Sequence, residues 1–99
     1  MNLNFQRSNK TKTIKLEDLQ RLINRINEIK KAPMETYKKD DNKLVAQIGN
    51  FHISSAYGGH SLHRIVNKNG ATSDVLQIGH VSKKELYNSL HAYLRGMGE

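Results

Sequence analysis

Five histidines, His52, His60, His63, His80 and His91, are the residues best able to move protons or hold a metal. His60 and His63 stand three apart, and Asp74 follows on what reads as the neighbouring strand. Two imidazoles and a carboxylate ligate zinc if they converge at about 2 Å. A bare H-x-x-H on a hairpin is a weak form of that motif, and the expectation is no metal and no cofactor. The imidazoles allow a second chemistry. One of His52, His60 or His63 as base, another as acid, and Arg64 or Lys68 over the phosphorane would make a metal-independent ribonuclease. No carboxylate is spaced to fix a tautomer for such a pair, so the expectation is a protein without catalytic residues. The chain has no cysteine, which excludes thiolate catalysis, disulfides and cysteine-based zinc sites. It also lacks a nucleophile elbow, a P-loop, a dinucleotide fingerprint and a zincin motif.

Binding chemistry has more to work with. In SAYGGHSLHR, the glycines Gly58 and Gly59 read as a chain reversal that brings Tyr57, His60 and Arg64 to one rim. Tyrosine stacks and hydrogen-bonds, and arginine grips a phosphate or carboxylate at two points. Near the C-terminus, helical spacing gathers Lys84, His91 and Arg95 on one face, with Lys83 and Tyr87 between that face and the apolar stripe. Cations beside an aromatic ring suit phosphates and stacked bases. These eight residues, Tyr57, His60, Arg64, Lys83, Lys84, Tyr87, His91 and Arg95, are the candidate binding set.

Two helices and a sheet have to position them. Leu16, Leu19, Leu22, Ile23, Ile26 and Ile29 form one helical stripe, with Glu17 and Asp18 in the first turn and Lys30 and Lys31 in the last, before Pro33 stops the helix. Residues 33–43 read as a charged connector. Alternation predicts strands over 44–48, 51–57, 61–67 and 72–78, with Leu76 and Ile78 facing the core. Apolar parity changes at Gly49-Asn50, which reads as a tight turn in preference to a bulge, and Asn69-Gly70 reads as a hairpin. Ser82 and Glu85 make a capping box, Val81 and Leu86 a hydrophobic staple. Leu86, Leu90, Tyr93, Leu94 and Met97 then continue one apolar face. The expected fold is α+β: helix, a three- or four-stranded antiparallel meander, helix. Both helices lie on one face of the sheet, and the other face is left to solvent or a partner.

The 99 residues allow one domain, read as a basic arm over 1–12 and a folded unit over 13–99. Net charge is +7, and it is uneven: Arg7, Lys10, Lys12 and Lys15 fall in the first fifteen residues without an acid. No Asp or Glu occurs between Asp41 and Asp74. Such an excess draws the chain to phosphate-rich or acidic partners. Hydrophobic residues make up 36% of the sequence, without a run long enough for a membrane span or of signal-peptide type. The expectation is a cytoplasmic protein that does not enter the membrane. An open strand edge or sheet face offers a route to a homodimer.

The helix–strands–helix order and the SKKE opening of the last helix resemble the double-stranded RNA-binding domain. In that family a histidine of the first hairpin loop and a lysine cluster at the last helix contact the RNA backbone and minor groove. The resemblance puts His60 and Lys83-Lys84 in those roles, with AYGGH standing where the family has Gly-Pro-x-His. The wording SAYGGHSLHRIVNKNG, then SDVLQ and SKKELYNSLHAYLRGM, is similar to a C-terminal module of small phage and mobile-element accessory proteins. That resemblance implies an anti-defence role of anti-CRISPR type. A basic, non-catalytic protein would engage a host nuclease or nucleoprotein and inhibit it. Direct RNA or DNA binding and the ribonuclease chemistry are the alternatives.

Overall fold

A computed structural model describes residues 13–98. The order is α1 (Leu16–Lys30), β1 (Tyr37–Asp40), β2 (Lys43–Ala46), β3 (Phe51–Ala56), β4 (Gly59–Ile65), β5 (Thr72–Asp74) and α2 (Lys83–Gly96). The strands form two antiparallel sheets, β1-β2 and β3-β4-β5. The expected α+β order is therefore present. The basic arm over 1–12 lies outside the described residues.

The two helices form where their stripes predict. Leu19, Ile23 and Ile26 of α1 and Leu86, Leu90 and Leu94 of α2 are buried together with Phe51 and Leu62 of the sheet. The helices pack on one another, α1 against β3 and α2 against β4. Asp18 accepts a hydrogen bond from the Lys15 backbone N–H and so holds the start of α1. Lys31 ends the helix in the left-handed region at φ 55°. At α2 the capping box is complete: the Ser82 hydroxyl accepts from the Glu85 N–H, and the Glu85 carboxylate accepts from Ser82. Val81 packs on the core beside buried Leu86, as the staple requires.

Asn27, buried on α1, ties helix to sheet. Its amide nitrogen donates to the Phe51 carbonyl at 3.0 Å and its amide oxygen accepts from the Phe51 N–H at 2.8 Å.

Four expectations need correction. The connector over 33–43 contains β1, which pairs with β2 through Tyr37↔Ala46 to Asp40↔Lys43. Gly49-Asn50 is not a hairpin turn, because β2 does not pair with β3. The Gly49 N–H and the Asn50 carbonyl both bond to Ile65, so two residues face one, a bulge with Gly49 at φ 95°. The chain reverses at Tyr57-Gly58, and Gly59 is already in β4, opposite Ala56. A Cβ at Gly59 would lie 2.8 Å from the carbonyl carbon of His80, so this glycine serves a close approach of backbones. The last strand stops at Asp74 instead of reaching residue 78. The Asp74 carboxylate accepts from the Gln77 and Gly79 N–H groups and from the Ser61 hydroxyl, and so winds the following residues into a loop. Leu76 still packs on the core, but Ile78 is exposed.

Candidate binding surface

Antiparallel register assigns the side chains of β3 and β4 to two faces. Phe51, Ile53 and Leu62 share the helix-packed face with His60 and Arg64, while His52, Ser54, Ser61 and His63 share the other. The pairing of His60 with His63 in one site therefore fails. Residues three apart on a strand point to opposite faces. Among the described residues, no group of three or more His, Cys, Asp or Glu is arranged to hold a metal ion.

Seven of the eight candidate residues belong to two adjoining stretches, the β3–β4 turn and α2, which the His60–Val81 bridge joins. Tyr57, at the turn, is 99% exposed and sits at φ 54°. Its ring meets the His80 ring at 6.0 Å. His60 follows in β4, its Nδ1 hydrogen-bonded to Ser55 Oγ at 2.8 Å. The His60 backbone exchanges two hydrogen bonds with Val81, at 2.7 and 2.9 Å. That bridge sets the entry to α2, so Ser82, Lys83 and Lys84 begin beside the hairpin. Along the helix, Tyr87 and His91 meet edge to face at 4.6 Å. Lys84, His91 and Arg95 share an azimuth within about 40°, over a rise of roughly 16 Å.

The charge on this rim is not neutralised. Among the described residues the ion pairs are Arg21–Asp18 and Arg25–Glu28, both on α1. The first-turn carboxylate of α2, Glu85, is engaged by Ser82 in the cap. Lys83 and Lys84 stand at the helix end where the dipole disfavours cations, by about 0.3–1 kcal/mol each. Helix stability alone gives no reason for two lysines there.

Arg64 departs from the set. It lies four residues along β4 from His60, about 13 Å, with its guanidinium 5.9 Å from the centre of the Phe51 ring. It lines a cavity together with Tyr93. Arg95, two residues after Tyr93, is turned about 200° away around α2. The expected single rim of Tyr57, His60 and Arg64 is thus divided, because the strand carries Arg64 to the far end of the sheet.

The helix-free face is not bare. Ser61 and Ile65 are buried on it, and His80 from the loop after β5 reaches across it. Ser54 Oγ and His80 Nε2 are hydrogen-bonded at 3.1 Å. His63 stands 6.2 Å from His52 and 5.8 Å from His80, ring centre to ring centre, and its Nδ1 bonds Thr72 Oγ1 at 3.0 Å. Burial, then the neighbouring His63, push the His52 imidazole below its ordinary pKa. Burial works to raise the Asp74 pKa, but the hydrogen bonds from Gly79, Ser61 and Gln77, with nearby His63, outweigh it and hold the carboxyl below its usual range. Strand parity could have placed His52 and His63 together. Nothing in the spacing announced His80, which lies in an irregular loop.

No helix among the described residues is long and apolar enough to cross a membrane. Comparison with family profiles, with curated proteins and with solved structures returned no match.

Proposed function

We propose that this protein is a non-catalytic binding module that engages the phosphate-bearing surface of a nucleoprotein through the rim of Tyr57, His60, Lys83, Lys84, Tyr87, His91 and Arg95. One observation carries the reading. Lys83, Lys84 and Arg95 are exposed along one helix, outside any ion pair among the described residues, and the exposed Tyr57 ring stands at the same end as the lysines. A rise of roughly 16 Å matches four to five base steps at about 3.4 Å each. Tyrosine adds a stacking surface for an unpaired base. The likeness to mobile-element accessory proteins supports the finer proposal, in which the bound nucleoprotein is a host defence nuclease and binding blocks its nucleic-acid path.

The test is fluorescence anisotropy with labelled duplex RNA, duplex DNA and a nuclease–RNA complex across a salt series. Three phosphate contacts predict a log–log salt slope of about −2 to −3. Lys83→Glu with Lys84→Glu should flatten the slope and weaken binding at least tenfold. Binding to the complex but not to naked duplexes favours the nuclease-directed form. The reading fails if none of the three is bound, or if binding ignores salt and the double substitution.

A second reading rests on His52, His63 and His80, gathered on the helix-free face. His52, kept neutral by burial, would be the base and His63 the acid of a ribonuclease. RNA cleavage in chelator, abolished by His63→Ala, supports it. RNA left intact after long incubation with the wild-type protein removes it.

A further inference from the structure

A cavity of about 590 Å³ opens between the end of α1, the Phe51–Arg64 end of the sheet and Tyr93 of α2. Three cations line it: Lys30 and Lys31 at the α1 terminus, and Arg64 from β4. None of them is in an ion pair among the described residues. The cavity's carboxylate, Asp74, shares the helix-free face with its partner His63 and bonds Ser61, Gln77 and Gly79 there, so it forms no ion pair with them and leaves the lining a net charge of about +2. The two lysines also complement the negative end of the α1 dipole. Arg64 comes from another element and has no such duty. It is held over the Phe51 ring at the cavity wall. The remaining walls include apolar Pro33, Ile48 and Val75.

From these groups we infer that the cavity binds a phosphomonoester carrying an apolar or aromatic body of mononucleotide size. A phosphomonoester brings about 1.5 to 2 negative charges, which the net charge of Lys30, Lys31, Arg64 and Asp74, about +2, matches, and an arginine can hold two of its oxygens at once. Inorganic phosphate alone would leave most of the volume unfilled. A cavity of this size falls in the range that takes up small organic ligands. The apolar walls and Tyr93 give the ligand body its contact. This site is separate from the α2 rim and stands or falls independently of the function proposed above. Its ligand is either a free mononucleotide or the 5′-terminal nucleotide of a strand.

The experiment is an amide-shift NMR titration of the full chain with adenosine monophosphate, adenosine, inorganic phosphate and a short 5′-phosphorylated oligonucleotide. Adenosine monophosphate should give saturable shifts centred on residues 30–33, 48–49, 64 and 93. Adenosine and inorganic phosphate should each bind at least tenfold more weakly. Arg64→Gln, and separately Lys30→Gln with Lys31→Gln, should weaken adenosine monophosphate about tenfold, the loss of one charge-assisted contact. Lys39→Gln, on the exposed strand β1, should leave it unchanged. Either ligand source supports the site: tighter binding of the oligonucleotide names a strand end, and tighter binding of the mononucleotide names a free nucleotide. The inference is overturned if adenosine binds as well as its monophosphate, if no ligand saturates, or if the shifts fall on Lys83 and Lys84 instead.

Discussion

The β1–β2 and β3–β4 hairpins close in the same way and do opposite work. Asp41-Asn42 joins β1 to β2 and Tyr57-Gly58 joins β3 to β4, and all four residues have positive φ. That is the two-residue turn whose twist suits a hairpin. Yet β1 is exposed along its whole length, and Leu44 of β2 is 74% exposed. The β3–β4 pair buries Phe51, Leu62 and Ile65. A local turn can therefore form with little core to support it, Ala46 being the buried residue of the first hairpin, whereas the second has its register enforced by burial at those three positions. The turn residues differ in the same sense. Aspartate and asparagine visit the left-handed region at little cost, whereas a tyrosine there is a true outlier. Such strain concentrates at functional positions, and Tyr57 is fully presented to solvent.

The sharpest test of that contrast is truncation. Leu62→Ala should cost about 2–5 kcal/mol in urea denaturation, and Leu44→Ala no more than about 0.5 kcal/mol. Equal losses would mean that the first hairpin carries hidden structural weight. Next comes the backbone approach at the β3–β4 turn. Gly59→Ala forces a methyl group against the His80 carbonyl and should cost about 1–3 kcal/mol. Hydrogen exchange should then speed up at the His60 and Val81 amides, while the β1–β2 amides stay as they were.

Acid should also act on one hairpin alone. The folded His52 takes up its proton at a lower pH than the unfolded chain does. The stability its neutral ring contributes is complete above the ordinary imidazole range, near 6.5, and drains away as pH falls below it. His52→Gln should therefore flatten the stability profile below about pH 6.5, read from urea midpoints between pH 5 and 8. An unchanged slope would assign the acid sensitivity elsewhere. The smallest effect has the opposite sign. Tyr57→Asn should raise stability by up to about 1 kcal/mol by relieving the left-handed tyrosine. The same variant should bind duplex and nucleoprotein ligands more weakly. A gain in stability with unchanged binding would make Tyr57 a bystander.

Periodicity made the helices legible. Leu19, Ile23 and Ile26 recur at helical spacing, and Ser82 with Glu85 announces its own cap. Alternation did the same for β3 and β4, because one side of each faces leucines and isoleucines. The strand at Tyr37 was not legible, since Lys38, Lys39 and Asp40 carry no apolar rhythm and no core requires one. The stretch after Asp74 misled because Leu76 and Ile78 alternate, while the Asp74 carboxylate pulls the backbone into a loop. The candidate rim was legible where it runs along a helix. It failed at Arg64, because sequence proximity to His60 conceals a separation of about 13 Å along the strand.

The amide of Asn27 has one further meaning for assembly. By bonding both backbone groups of Phe51 it imitates the neighbouring strand that β3 lacks. The first rung on that side of the sheet is already occupied from within the molecule. A second chain seeking to add itself there in register from Phe51 would have to expel a side chain anchored in the buried flank of α1. The protein thereby withholds the Phe51 end of β3 from strand addition.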